Sequence, residues 1–313
     1  MINFRYHLVS LIGVFLALAI GVVLGAGPLQ TRLGDAWASQ GDAGSADVSA
    51  QLEQAQADAQ AQSAALDELG QRALPGTLDG VSVALVTLPG AATDDADAVS
   101  ADLRTAGATV AGKVSLTDNW QSQSMSQYRD TLAGPVSTHL ASAAPADATA
   151  DAVIGYALVE VLTSTGSEQG LLSDILTDPS TPIMSLDEDP KGAAQAVVVV
   201  GPRASETDGT SGTPAQSGGT TSAATSAWVG LARAVASAPS GAVVVGDAST
   251  PDALVAQIRT QGVVVTTVDS VGTDLGALGT ALALPGAAGA GEARAFGVGD
   301  DASQVLPPIP GLD

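Results

Sequence analysis

The chain changes its hydrophobic rhythm three times, and each change predicts a different element. From Leu8 to Gly27 runs an apolar, uncharged stretch. At ~1.5 Å per residue a helix of that length spans the ~30 Å hydrocarbon core of a bilayer. Only the amino terminus, Arg5 and His7 precede it. The short positive flank is therefore expected in the cytoplasm and everything after Pro28 outside it. The rival reading is a cleaved signal peptide, since Gly25-Ala26-Gly27 resembles a small-residue cleavage site. The run is longer than the usual ~7–15-residue apolar region of such peptides, and Pro28 would follow the cut, so an uncleaved anchor is expected. Gly13, Ala17, Gly21 and Gly25 recur every fourth residue, a face along which two helix backbones could approach.

The second rhythm alternates steps of four and three. Leu29–Trp37 continues the first helix briefly and Gly41–Ser45 reads as a polar break. From there Val48, Leu52, Ala55, Ala59, Gln62, Leu66, Leu69 and Ala73 trace the seam of a coiled coil. Its alanines bury little area, so the predicted pairing, most simply a homodimer, is weak. Pro75-Gly76 ends the helix.

The third rhythm is short apolar runs separated by helical periods. Strands are predicted at Val81–Leu88, Thr109–Leu116, Ala196–Gly201, Ala242–Gly246 and Val263–Val268. Helices are predicted near Asp94–Ala106, Gln121–Ala133, Asp147–Thr163, Glu168–Leu176, Thr225–Ala236, Pro251–Thr260 and Leu275–Leu284, with Thr250 as a cap and Pro251 at the first helical position. Val197–Val200 and Val243–Val245 are apolar without alternation, as strands covered on both faces are. The expected fold is an N-terminal transmembrane helix, a coiled-coil helix, and a parallel-sheet, Rossmann-like α/β domain. The segments are 1–28 (stub and anchor), 29–75 (helix and coiled coil), 76–285 (α/β domain) and 286–313 (Gly/Pro-rich tail without regular structure). A loop dominated by Ser, Gly and Thr between Arg203 and Ser222 is expected to be mobile and to hold no fixed site.

Composition narrows the chemistry. A formal charge of -22 over 313 residues argues against nucleic-acid binding and leaves the inserted helix as the contact with the lipid bilayer. The chain has no cysteine, 3 methionines and 2 histidines. Copper(I) favours Cys or Met sulfur and copper(II) favours grouped imidazoles, so no resident metal site or cofactor is expected. His139 reads as a surface or satisfied side chain. Asp94, Asp95 and Asp97, with Asp102 beyond, could offer oxygen ligands but read as acidic groups at a helix start. Asp187, Glu188 and Asp189 read as a solvated turn. Ligands of open parallel sheets sit beyond the carboxyl ends of the strands, where Thr87, Asp247, Ser249 and Asp269 are expected. No nucleophile, base or phosphate-loop motif joins them, so an enzyme is not expected. Nor does a single apolar helix without a polar face line a pore.

Four blocks of residues carry a family resemblance. They are Arg5 to Leu11, Val14 to Gly25, Lys113 to Thr117 and Thr266 to Asp269, and they resemble the actinobacterial MctB family, named for copper transport, which includes SteB-type cell-division members. The resemblance implies a single-pass, coiled-coil-bearing plasma-membrane protein exposed to the cell envelope. It brings two functions: copper homeostasis or efflux, and a non-enzymatic adaptor that acts with a SteA-like protein on a septal peptidoglycan hydrolase. The chain departs from the family in its tail, where Arg294 and Phe296 occur without a histidine.

Overall fold

A computed structural model describes residues 28–190, 192–204, 222–288 and 293–309. The predicted anchor, with Gly13, Ala17, Gly21 and Gly25, and most of the Ser/Gly/Thr loop lie outside them. None of the described helices is long and apolar enough to cross a membrane.

The chain forms two units, Met1–Ala64 and Ala65–Asp313. Helix α1 covers Pro28–Ala73 without interruption. The break expected at Gly41–Ser45 is therefore absent. A helical glycine costs only about 1 kcal/mol relative to alanine, which a run rich in Ala and Gln absorbs. The predicted stop holds, with Gly76 at φ 84° just past the end of α1.

In the second unit the elements follow as β1 (Ser82–Thr87), α2 (Thr93–Thr105), β2 (Thr109–Leu116), α3 (Asp118–Gln121), α4 (Ser126–Ser137), α5 (Ala150–Thr163), α6 (Ser167–Leu176) and β3 (Met184–Glu188). Next come β4 (Ala196–Val200), α7 (Ser222–Val235), β5 (Ala242–Val245), α8 (Leu254–Thr260), β6 (Thr266–Val268), α9 (Asp274–Ala283) and β7 (Ala295–Phe296). The seven strands make one open sheet in the order β3-β2-β1-β4-β5-β6-β7. It is parallel except for the β2–β3 pair.

The unbroken valine runs are explained by cover on both sides. Val197, Val199 and Val244 enter the core against α5 and α7, while Val198, Val200, Val243 and Val245 enter the core against α2 and α9. Leu66 and Leu69 at the end of α1 pack partly buried against this second core.

Four local expectations are corrected. Asp187 and Glu188 lie on β3, not in a turn; this edge strand buries Met184 and turns its charges outward, as exposed edges commonly do. The strand expected from Val263 begins at Thr266, and Val264 is 62% exposed. Helix α8 starts at Leu254 instead of Pro251, because Thr250–Ala253 closes as a turn and the Val255 amide donates to the Asp247 carbonyl. In the tail, β7 adds to the sheet beside β6.

Candidate functional site

The strand order reverses between β1 and β4, with α2 and α7 packed on opposite faces of the sheet, the switch point at which doubly wound sheets have their crevice. Asp95, in the first turn of α2, and Arg203, just past β4, meet there. The Arg203 Nε donates to Asp95 Oδ2 at 2.8 Å and an Nη donates to Oδ1, a two-point grip on a carboxylate that is 5% exposed. The Asp95 carboxylate raises the Arg203 guanidinium above its ordinary range. Beside the pair lies a cavity of about 200 Å³, also bordered by Asp94, Val99, Val245, Val271 and Ala277.

Thr87, Asp247 and Asp269 do not border this cavity and are not brought together. Thr87 ends β1 in register with Val200. Asp247 accepts from the Ser249 amide at 2.9 Å and the Ser249 hydroxyl at 3.0 Å, a local turn. Between the ends of β4 and β5 the side chain of Leu254 fills the space over Gly201 and Gly246; a Cβ at Gly246 would fall 2.8 Å from Leu254 Cδ2. Asp269 is 3% exposed and engaged with Arg259 and the tail. The carboxyl end of the sheet is thus largely filled by the chain's own groups. Arg203 and Arg259 escaped the sequence reading, although arginines beside apolar strands in a chain with only 11 basic residues were a usable signal.

The acidic groups also separate. Asp97 faces Lys113 at 3.4 Å, and His139 Nδ1 lies 3.1 Å from Glu168. Among the described residues no group of three His, Cys, Asp or Glu converges to hold a metal. Of the predicted seam, Leu52 is 57% exposed and Ala55 and Ala59 are exposed, whereas Leu66 and Leu69 turn to the body of their own chain.

A small cavity of about 150 Å³ carries Asp67 of α1, Asp102 of α2 and Asp274 of α9 on its wall, with no basic residue among its lining. Burial, then the charges of Asp67 and Asp274, push the Asp102 carboxyl up to about 6. The folded chain therefore holds this proton more tightly than the unfolded one, for which the value is 3.8. The contribution of Asp102 to stability is largest at low pH and falls as pH rises between those two values. Asp102→Asn removes that slope and is expected to raise the melting temperature at pH 7.5 by about 2–4 °C, since solvent screening at this half-buried carboxyl holds the gain near 1 kcal/mol. Melting curves of both proteins from pH 4 to 8 check it; an unchanged slope excludes the assignment.

A family model described as "Copper transport outer membrane protein, MctB" matches residues 1–307. The chain belongs to the MctB family. Two similar curated proteins are both named "Copper transporter MctB", one from Mycobacterium bovis and one from Mycobacterium tuberculosis CDC 1551. Each is 37% identical over 123 residues, 38% of this chain and 39% of the relative. The match thus spans well under half of those relatives. The MctB description ties its members to a membrane, while the described residues of this one form an open, helix-covered sheet.

Proposed function

We propose that this MctB-family chain serves copper homeostasis as a non-enzymatic, single-pass protein of the plasma membrane, acting through assembly instead of ligating or conducting copper itself. Residues 1–28 are the anchor, with the amino terminus in the cytoplasm and the α/β body in the cell envelope. The family match supports the copper role. The observation that carries assembly is the exposure of Leu52, Ala55 and Ala59 in seam register on α1. A second copy of the chain covers them. Copper remains cargo in this reading, consistent with a sequence that has no cysteine and 3 methionines.

The test pairs Leu52→Asp with Ala59→Asp. Both positions are exposed, so the thermal transition of the body is expected to stay unchanged while the sedimenting species drops from dimer to monomer. The same variant is expected to fail to restore copper tolerance in a strain lacking the gene. Unchanged sedimentation refutes assembly through this seam. If deletion instead yields chained cells in copper-free medium and normal copper tolerance, the copper role falls and the adaptor function with a SteA-like partner takes its place.

A further inference from the structure

At the amino ends of the strands, opposite the crevice, a cavity of about 330 Å³ is walled by Pro145, Ala148, Ala152, Ala236, Val263 and Val264. That is the lower range of small-molecule sites, and its lining is of the usual kind, mostly apolar with a few polar groups. The polar groups are Asp147 before α5, Tyr156 on α5 and Arg233 near the end of α7. None of these three side chains has a hydrogen-bond or ion-pair partner among the described residues, and Asp147 and Arg233 do not pair with each other. Asp147 and Arg233 are exposed at the mouth of the cavity, and Tyr156 is half-buried in its wall.

The phenol of Tyr156 lies within both fields. Burial pushes its hydroxyl above the ordinary range, the Arg233 charge pulls it down and the Asp147 charge pushes it up. Val264 adds an apolar rim that is 62% exposed. A ligand with one charge would satisfy Arg233 or Asp147 and leave the other facing it unfavourably. A ligand with both charges answers both.

We propose that this cavity binds a small apolar zwitterion, an amino acid or short peptide with free termini. Its carboxylate is taken by Arg233, its ammonium by Asp147, and its side chain lies on Ala148, Val263 and Val264 beside the Tyr156 hydroxyl. The inference is independent of the copper role.

Calorimetric titration of the full-length chain with L-leucine, the dipeptide Leu-Leu, leucine amide and N-acetylleucine tests it. One of the two zwitterions is expected to saturate a single site, and which one does so separates a free amino acid from a peptide source. Leucine amide lacks the carboxylate and N-acetylleucine the ammonium, so each is expected to bind about ten- to a hundredfold more weakly than the zwitterion. Arg233→Gln is expected to weaken the zwitterion at least tenfold and leave leucine amide unaffected, and Asp147→Asn to spare N-acetylleucine. Both variants keep the wild-type melting temperature without ligand, because neither side chain bonds within the described residues. Failure of both zwitterions to bind at millimolar concentration, equal binding of all four probes, or wild-type affinity in Arg233→Gln overturns the proposal.

Discussion

Asp269→Ala is expected to lower the stability of the α/β body by about 3–5 kcal/mol and to release the tail from the sheet. The carboxylate follows β6 and is 3% exposed. It accepts from Arg259 Nη1 at 3.0 Å, the Ser270 hydroxyl at 3.0 Å, and the amides of Val298 and Gly299 at 2.7 and 3.1 Å. Arg259 continues the knot, donating from Nε to the Thr267 hydroxyl at 3.0 Å and from Nη2 to the Phe296 carbonyl at 2.9 Å. Removing the acceptor leaves a nearly buried guanidinium and two amides without their partner, and that penalty is larger than the loss of any one bond. Gly297 explains why the chain can pass so closely: at φ 130° its missing Cβ leaves the place that the Asp269 carboxylate occupies. Urea unfolding measures the destabilisation, and hydrogen exchange across residues 295–304 measures the release. Wild-type protection of Val298 and Gly299 in the variant would show that Asp269 does not hold the tail.

Arg129→Met is the second large effect, again about 3–5 kcal/mol. Arg129 on α4 has a side chain 1% exposed, and its Nε donates to Asp151 at 2.7 Å. Its Nη1 donates to the carbonyls of Asn119 and Ser122 at 3.0 and 2.9 Å. One guanidinium thus ties the short helix α3, the link into α4, and the first turn of α5. Methionine matches much of the volume but none of the donors, so Asp151 is left a nearly buried charge without its cation. The double variant Arg129→Met/Asp151→Leu is expected to recover part of the loss, since a buried pair exchanged for apolar groups is often close to neutral. A shift in the urea midpoint for the single variant, reduced in the double, checks both statements. Equal loss in the two variants would assign the effect to packing instead of charge.

The two knots mark where sequence reading reaches its limit. The central strands were legible because Val197–Val200 and Val243–Val245 are short β-branched runs, apolar at successive positions as strands covered on both faces are. Helices α2, α5, α6 and α9 were legible within a few residues from their periodicity. Strand β7 was not, because two residues leave no period to read. Strand β3 was hidden by Asp187 and Glu188, whose charges suit an edge as well as a turn. At the carboxyl end of the sheet, Asp269 was placed from its position after a strand, yet its partners lie 10 residues back at Arg259 and 29 to 30 ahead at Val298 and Gly299. Asp95 and Arg203 are 108 residues apart. No local pattern encodes which carboxylate an arginine will meet over such separations.

What the chain's order of residues determined by itself is the class of fold, its acidic and sulfur-poor chemistry, and the blocks that mark it as MctB-like. Those follow from hydrophobic period and composition, which act over a turn of helix or a run of strand. Only the tertiary structure decided that the carboxyl end of the sheet is filled by Leu254 and by paired charges, that the tail is tied down by Asp269, and that Leu66 and Leu69 seat against their own body while Leu52 stays exposed. Those outcomes depend on which distant groups share the space left after the sheet and its helices have packed, and that competition is settled in three dimensions.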